Sequence, residues 1–331
     1  MFHYIVERIL LMFPTLLVIS ALIFIIIQLP PGDYLSTTIA ELESQGETST
    51  EQIEYYKNLY GLDQPQIIQY FKWVGGMLQG DFGYSFEYQK PVSEVIGDRM
   101  WLTVLVSVST ILFIYIVSFP IAIYSAVNQY STGDYALTFI GFLGLATPNF
   151  LLALILIYIA KSWFGTEIGG LMDQRFIDQD WSVEKALSVL EHLWLPVIVI
   201  GTSGTASMIR RLRANLLDEL HKQYYITAKA KGLSPFKALL KYPLRSSLNP
   251  FIADIGSILP EVISGSAIVS VVLSLDTTGP ILLEALTSQD TYLAGSFLMF
   301  LSLLTIIGML VSDLALGLLD PRIRFGSGVQ K

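Results

Sequence analysis

Long apolar runs separated by polar stretches of unequal length dominate the chain, and none of the runs alternates with period two. Met100 to Gly133 passes without one Asp, Glu, Lys or Arg, and 135–160 does the same. A helix needs about 20 apolar residues to cross a hydrocarbon core, and the lack of alternation argues for helices rather than a barrel. Six spans are predicted, at about 9–29, 101–127, 135–160 and 192–209, within 247–275, and at 292–319. The fold class is therefore all-α, a polytopic membrane protein with six transmembrane helices. The first run, about 21 residues, exceeds the 7–15 apolar residues of a signal peptide. It ends in Leu29-Pro30-Pro31-Gly32-Asp33 without an A-x-A pattern, and is expected to stay as the first transmembrane helix.

The polar intervals divide the rest. Residues 1–30 form the N-terminus and first span, 31–100 an outer segment, 101–319 the core and 320–331 a tail. The outer segment combines a Glu/Ser/Thr-rich stretch with aromatic residues such as Tyr60, Tyr70, Phe71 and Trp73. That aromatic content predicts a small helical outer domain rather than a disordered connector.

Composition supports the membrane reading. The 331 residues are 53% hydrophobic and 15% charged, with mean hydropathy +0.56, whereas soluble domains carry roughly 25% charged residues. Absence of Cys excludes disulfides and thiolate chemistry. His3, His192 and His221 are scattered, so no metal site is expected.

The net charge of −8 hides two opposite regions. Residues 210–245 hold nine Lys/Arg and two acids, Arg8 precedes the first span, and Arg322, Arg324 and Lys331 lie in the tail. By contrast, 31–100 holds four bases and eleven acids. The positive-inside rule puts 210–245 and both termini in the cytoplasm. The short loop 129–134, cytoplasmic by parity, contains no base.

Catalytic patterns are missing. No G-x-x-x-x-G-K-[ST] occurs, and Gly201-Thr-Ser-Gly-Thr-Ala-Ser207 lacks the lysine of a phosphate cradle. Nor is there an H-E-x-x-H or G-x-S-x-G. Asp254, Glu261 and Asp313 lie at membrane depth, where ionisable groups face a bundle interior or an aqueous cavity. Asp254 and Glu261, seven apart, share a helical face. Two readings stay open for these acids: pairing with Ser, Thr, Asn249 or Arg245, or lining a substrate path. An aspartyl intramembrane protease finds no other support.

Within the basic segment, Tyr225 to Lys231 suits a helix, Gly232 permits the left-handed residue that ends one, and Ser234-Pro235 supplies a cap and first-turn proline for the next. A helix–turn–helix is predicted, either transmitting motion from a cytoplasmic partner or adhering to anionic lipid. Nucleic acid is not an expected partner.

This loop resembles the signature loop of binding-protein-dependent ABC importer permeases, specifically the oligopeptide/dipeptide (and nickel) permease family. Thr227, Ala228, Ala230, Lys231, Gly232, Leu233 and Ser234 match that signature, with Lys229 where Arg is usual. The wider motif begins Glu-Ala-Ala; this chain has Ile226-Thr227-Ala228, so the Glu is absent. Further matches are Leu29–Asp33, Tyr60–Pro65, Gly80-Asp81-Phe82-Gly83-Tyr84-Ser85, Pro91-Val92 and Leu319–Arg324. The family's Pro-Gly turn between spans five and six is altered here, at Leu273–Pro280.

The resemblance implies the type I ABC importer permease fold in the cell (inner) membrane. It further implies a second homologous permease subunit, two cytoplasmic ABC ATPase subunits that hold ATP and Mg, and an extracytoplasmic substrate-binding protein. The chain itself would carry no cofactor and would not be an enzyme. The ATPase-coupling loop would comprise Tyr225, Thr227, Ala228, Lys229, Lys231, Gly232 and Leu233, with Thr227, Ala228 and Leu233 offered to an ATPase groove. Oligopeptides are the expected cargo, with oligosaccharides or another small solute as the alternative. An ion-coupled secondary transporter is the distant rival, weakened by the lack of an internal repeat.

Overall fold

Helix α1 (Phe2–Gln28) opens the chain and realises the first predicted span, with Pro14 inside it. The structure, a computed structural model, describes residues 2–29, 64–85, 87–165, 169–176 and 179–319. The expectations for 30–63 and 320–331 lie outside these. The chain divides into two units, one comprising Met1–Thr103 with Thr277–Ile307 and the other Val104–Asp276 with Gly308–Lys331. Two long helices, α3 (Val92–Val127) and α14 (Thr291–Leu319), contribute residues to both.

In the first unit, α2 (Gln66–Leu78) lies against α1. The Ser20 and Tyr70 hydroxyls meet at 2.8 Å, and the Phe24 ring sits edge-on to Tyr70. Buried Trp73, Tyr292 and Leu293 complete the cluster. Among the described residues of the predicted outer segment, Gln66–Leu78 are helical. Helix α2 closes at Gly80 (φ 83°), with Gly80 N–H on the Met77 carbonyl and Asp81 N–H on the Gly76 carbonyl. A two-residue hairpin follows, β1 (Tyr84–Ser85) pairing antiparallel with β2 (Lys90–Pro91).

Asp290, fully buried just before α14, holds that hairpin in place. Its carboxylate accepts from Ser85 Oγ at 2.7 Å, Glu87 N–H at 3.3 Å and Leu293 N–H at 3.1 Å. Nearby, the Tyr88 hydroxyl donates to Glu284, on α13 (Thr278–Thr287). Partial burial, reinforced by that carboxylate, pushes the Tyr88 phenol up to about 12.

The second unit surrounds α6 (Val183–Leu220), which contains the fourth predicted span and extends well past both ends of it. Residues 210–220, expected to start the basic loop, therefore continue the helix, and the loop proper begins at His221. Gly201 and Gly204 let α3 approach closely, since a Cβ at either would lie 2.7 Å from Phe113 or Ile114. Ile114, Met208, Leu212 and Phe251 form the core there.

The third predicted span is broken. Helices α4 (Thr132–Ala146) and α5 (Asn149–Ile159) meet at a 101° bend. Pro148 supplies no N–H and pushes Thr147 into the extended region (φ −88°, ψ 118°). A π-helical turn (Ala160–Phe164) then ends at Gly165.

The fifth predicted span is segmented rather than continuous. After α9 (Pro243–Ser247), it runs as α10 (Asn249–Ala253), α11 (Ile255–Gly265) and α12 (Ala267–Val272), with Pro250 opening the first and Pro260 inside the second. Among the described residues, four helices are long and apolar enough to span, five with the bent pair. Helix α14 braces the segmented stretch through backbone contact: a Cβ on Gly256 would lie 2.5 Å from the Gly308 carbonyl carbon. Ser312 Oγ lies 2.6 Å from the carbonyl oxygens of both Ile252 and Ala253.

Candidate functional site

The basic loop forms two short helices, α7 (Gln223–Ala230) and α8 (Pro235–Lys241), joined at Gly232. Gly232 takes φ 86°, a conformation L side chains rarely adopt. Two backbone bonds lock the turn, from Gly232 N–H to the Lys229 carbonyl (2.9 Å) and from Leu233 N–H to the Ala228 carbonyl (3.3 Å). Pro235 occupies the first helical position as predicted. Ser234 contributes its carbonyl, to Ala238 N–H at 2.9 Å, but no side-chain cap.

The two helices share a small core of Tyr225, Ala228 and Ala238, flanked by Leu220, Leu233 and Tyr242. One residue further along α8, Leu239 packs with Ala126 of α3 and Leu216 of α6. The loop is thus bolted to two long helices. Glu219, at the end of α6, accepts from Lys222 Nζ and the Tyr224 hydroxyl, setting the entry into α7.

This packing corrects one expectation. Ala228, expected to face outward, is 6% exposed and packs in a core with Ala238 of α8. Thr227 and Lys231 are exposed, Leu233 is half-buried in the small core, and the Lys229 ammonium lies 4.7 Å over the Tyr225 ring. The outward apolar surface consists instead of Ile226 (47% exposed), Phe236 (67%) and Leu240 (45%). Phe236 and Leu240 stand four apart, a helical-face signal that sequence reading passed over.

The three acids at membrane depth part company. Asp254 Oδ2 meets Arg211 Nη1 of α6 at 2.7 Å, a pairing not among the partners expected from the sequence. Glu261 and Arg211 both line a cavity of about 190 Å³ within the second unit, with Asn149, Ser203 and Ser207 as further polar lining. Asp313 lies on α14, outside that lining.

A pair not foreseen joins α4 to α6. Arg213 reaches Asp134, which is 2% exposed and also accepts from Tyr130 N–H at 3.0 Å. The loop 129–134 and the basic end of α6 therefore lie together.

Comparison with known proteins agrees with this architecture. The family described as "Binding-protein-dependent transport system inner membrane component" matches residues 118–325, and the description of its N-terminal part matches 1–109. The oligopeptide transport system permease protein AppB of Bacillus subtilis is 34% identical over 326 residues, covering 97% of this chain and 99% of the relative. The glutathione transport system permease protein GsiC of Escherichia coli K12 is 28% identical, covering 98% and 100%. The peptidoglycan transport system permease protein YejB of Agrobacterium fabrum is also 28% identical, covering 97% and 98%. The chain belongs to the inner-membrane components of binding-protein-dependent transport systems, in the oligopeptide/dipeptide permease group of ABC importers, and is a transport permease rather than an enzyme.

Proposed function

We propose that this chain forms half of a translocation pathway for oligopeptides through the cell membrane. Its partners are a second homologous permease subunit, two cytoplasmic ATPase subunits that hold ATP and Mg, and an extracytoplasmic binding protein that delivers the cargo. The observation that carries the reading is the helix pair 223–241. Its inner face is closed on Tyr225, Ala228 and Ala238, and its outer face leaves Ile226, Phe236 and Leu240 exposed. Such a pair, seated on α3 and α6 through Leu239, suits the transfer of movement from a docked ATPase.

The orientation follows from charge, with both termini and the helix pair in the cytoplasm. The Asp134–Arg213 pair supports it, because it joins the base-free loop 129–134 to the basic end of α6. Peptide cargo is supported by the names of the relatives, which include oligopeptide and glutathione, itself a tripeptide.

Reconstitution tests the reading. The purified chain alone should hydrolyse no ATP. Liposomes holding the full assembly with its binding protein should take up labelled oligopeptide in an ATP-dependent manner. Hydrolysis by the isolated chain refutes the division of labour, and uptake of oligosaccharide instead of peptide overturns the cargo.

A further inference from the structure

The cavity of the second unit is lined by one base, Arg211, and one acid, Glu261, and the base is engaged by a carboxylate outside the lining. Arg211, on its wall, is already engaged by Asp254 at 2.7 Å. Glu261 also lines the cavity, is exposed, and makes no hydrogen bond or ion pair with another described residue. It stands at the midpoint of the apolar stretch 247–275, on the segmented α11. An ionisable group within an apolar stretch of a membrane protein usually faces a cavity and meets a partner charge there.

The surroundings restrict which cation fits. One carboxylate with amide and hydroxyl neighbours falls short of the six or more oxygen ligands that Ca²⁺ takes. Elsewhere in the lining, Asn149 donates to Ser203 Oγ at 3.2 Å, giving a polar patch suited to a peptide unit. Ile114, Met208, Ile258 and Val262 form an apolar remainder suited to a side chain. A charged pole, a polar patch and an apolar wall together match the amino end of a peptide.

We propose that Glu261 is the subsite that receives the α-ammonium group of the transported peptide. The inference rests on the peptide-import reading above. A basic side chain from the second permease subunit is the competing occupant, and the experiment separates the two.

The test uses the complete importer in liposomes with its binding protein. Uptake of one tripeptide is compared with uptake of its N-acetylated form, for the wild-type chain and for Glu261→Gln and Glu261→Asp. The binding protein is common to all arms, so its own preference cancels in the ratio of ratios. Glu261→Gln should lose at least tenfold of the preference for the free amine, and Glu261→Asp should retain most of it. An unchanged preference in Glu261→Gln overturns the subsite alone, provided the wild type imports peptide. Import of neither peptide by the wild type overturns the peptide reading and the subsite with it. Loss of the second permease on purification of Glu261→Gln overturns the subsite and assigns Glu261 to the subunit interface.

Discussion

Arg213 holds Asp134 with two parallel hydrogen bonds, Nε to Oδ1 at 2.9 Å and Nη2 to Oδ2 at 2.6 Å. The pair ties the start of α4 to α6, and Asp134 is almost completely buried. Removing one partner strands the other charge, which costs about 3–5 kcal/mol at buried pairs. Asp134→Ala and Arg213→Ala should each lower the thermal midpoint in detergent, and the double variant should lose less than their sum. Full additivity would show that the two residues act separately.

The turn at Gly232 has open space around the missing Cβ, so its demand is conformational alone. A β-branched residue at φ 86° costs about 1–2 kcal/mol. Gly232→Val should uncouple substrate-stimulated hydrolysis while the chain still reaches the membrane. Gly232→Asn should be milder, because Asn tolerates the left-handed region. Equal stimulation in the Val variant and wild type would remove the turn from the coupling path.

Packing inside the helix pair separates two kinds of variant. Ala228→Trp and Ala238→Leu overfill the contact between α7 and α8, at a cost of about 1–3 kcal/mol each. Both should disturb coupling through the shape of the loop. Ile226→Ala and Phe236→Ala act on exposed surface and should weaken only the co-purification of ATPase subunits. Lys237→Ala should change little, since a single exposed charge contributes weakly. Limited proteolysis of the loop distinguishes the groups: faster cleavage is expected for the first pair and not for the second.

Gly256 and Gly308 allow backbone-to-backbone contact between α11 and α14. Rigid backbone cannot yield as a side-chain tip does, so Gly256→Ala should cost at least about 2 kcal/mol and reduce the folded yield. Gly265→Ala, where the added Cβ meets nothing within 4 Å, should be near neutral. Size-exclusion profiles of the two variants in detergent provide the measurement.

The apolar runs and the Gly232–Pro235 punctuation were legible in the sequence because each is a local property. The breaks were less so. Pro148 stands inside a charge-free, mostly apolar run, and hydropathy alone conceals the 101° bend beside it. Asp254 was legible as a costly charge, yet its partner Arg211 lies 43 residues away, beyond the reach of local spacing. Ala228 carried the resemblance to the family and was expected to face outward. Its burial depends on Ala238, which only the fold brings beside it. Asp290 and Ser85 are separated by 205 residues, and no local signal links them.

Helix α6 runs from the cavity to the loop as one continuous helix. Its 38 residues extend about 57 Å, nearly twice the thickness of a hydrocarbon core. Pro196 removes one backbone hydrogen bond from the helix, and a tilt of the segment beyond it is the motion expected from that gap. From there Leu220, where the loop is seated, lies about 36 Å away, and Ser203, on the cavity wall, about 10 Å. The helix is therefore a lever with a gearing of roughly three to four: a 3 Å displacement at the loop arrives at the cavity as about 1 Å. A motion so reduced in amplitude is increased in force by the same ratio, which suits prying apart a close-packed wall better than sweeping a wide gate.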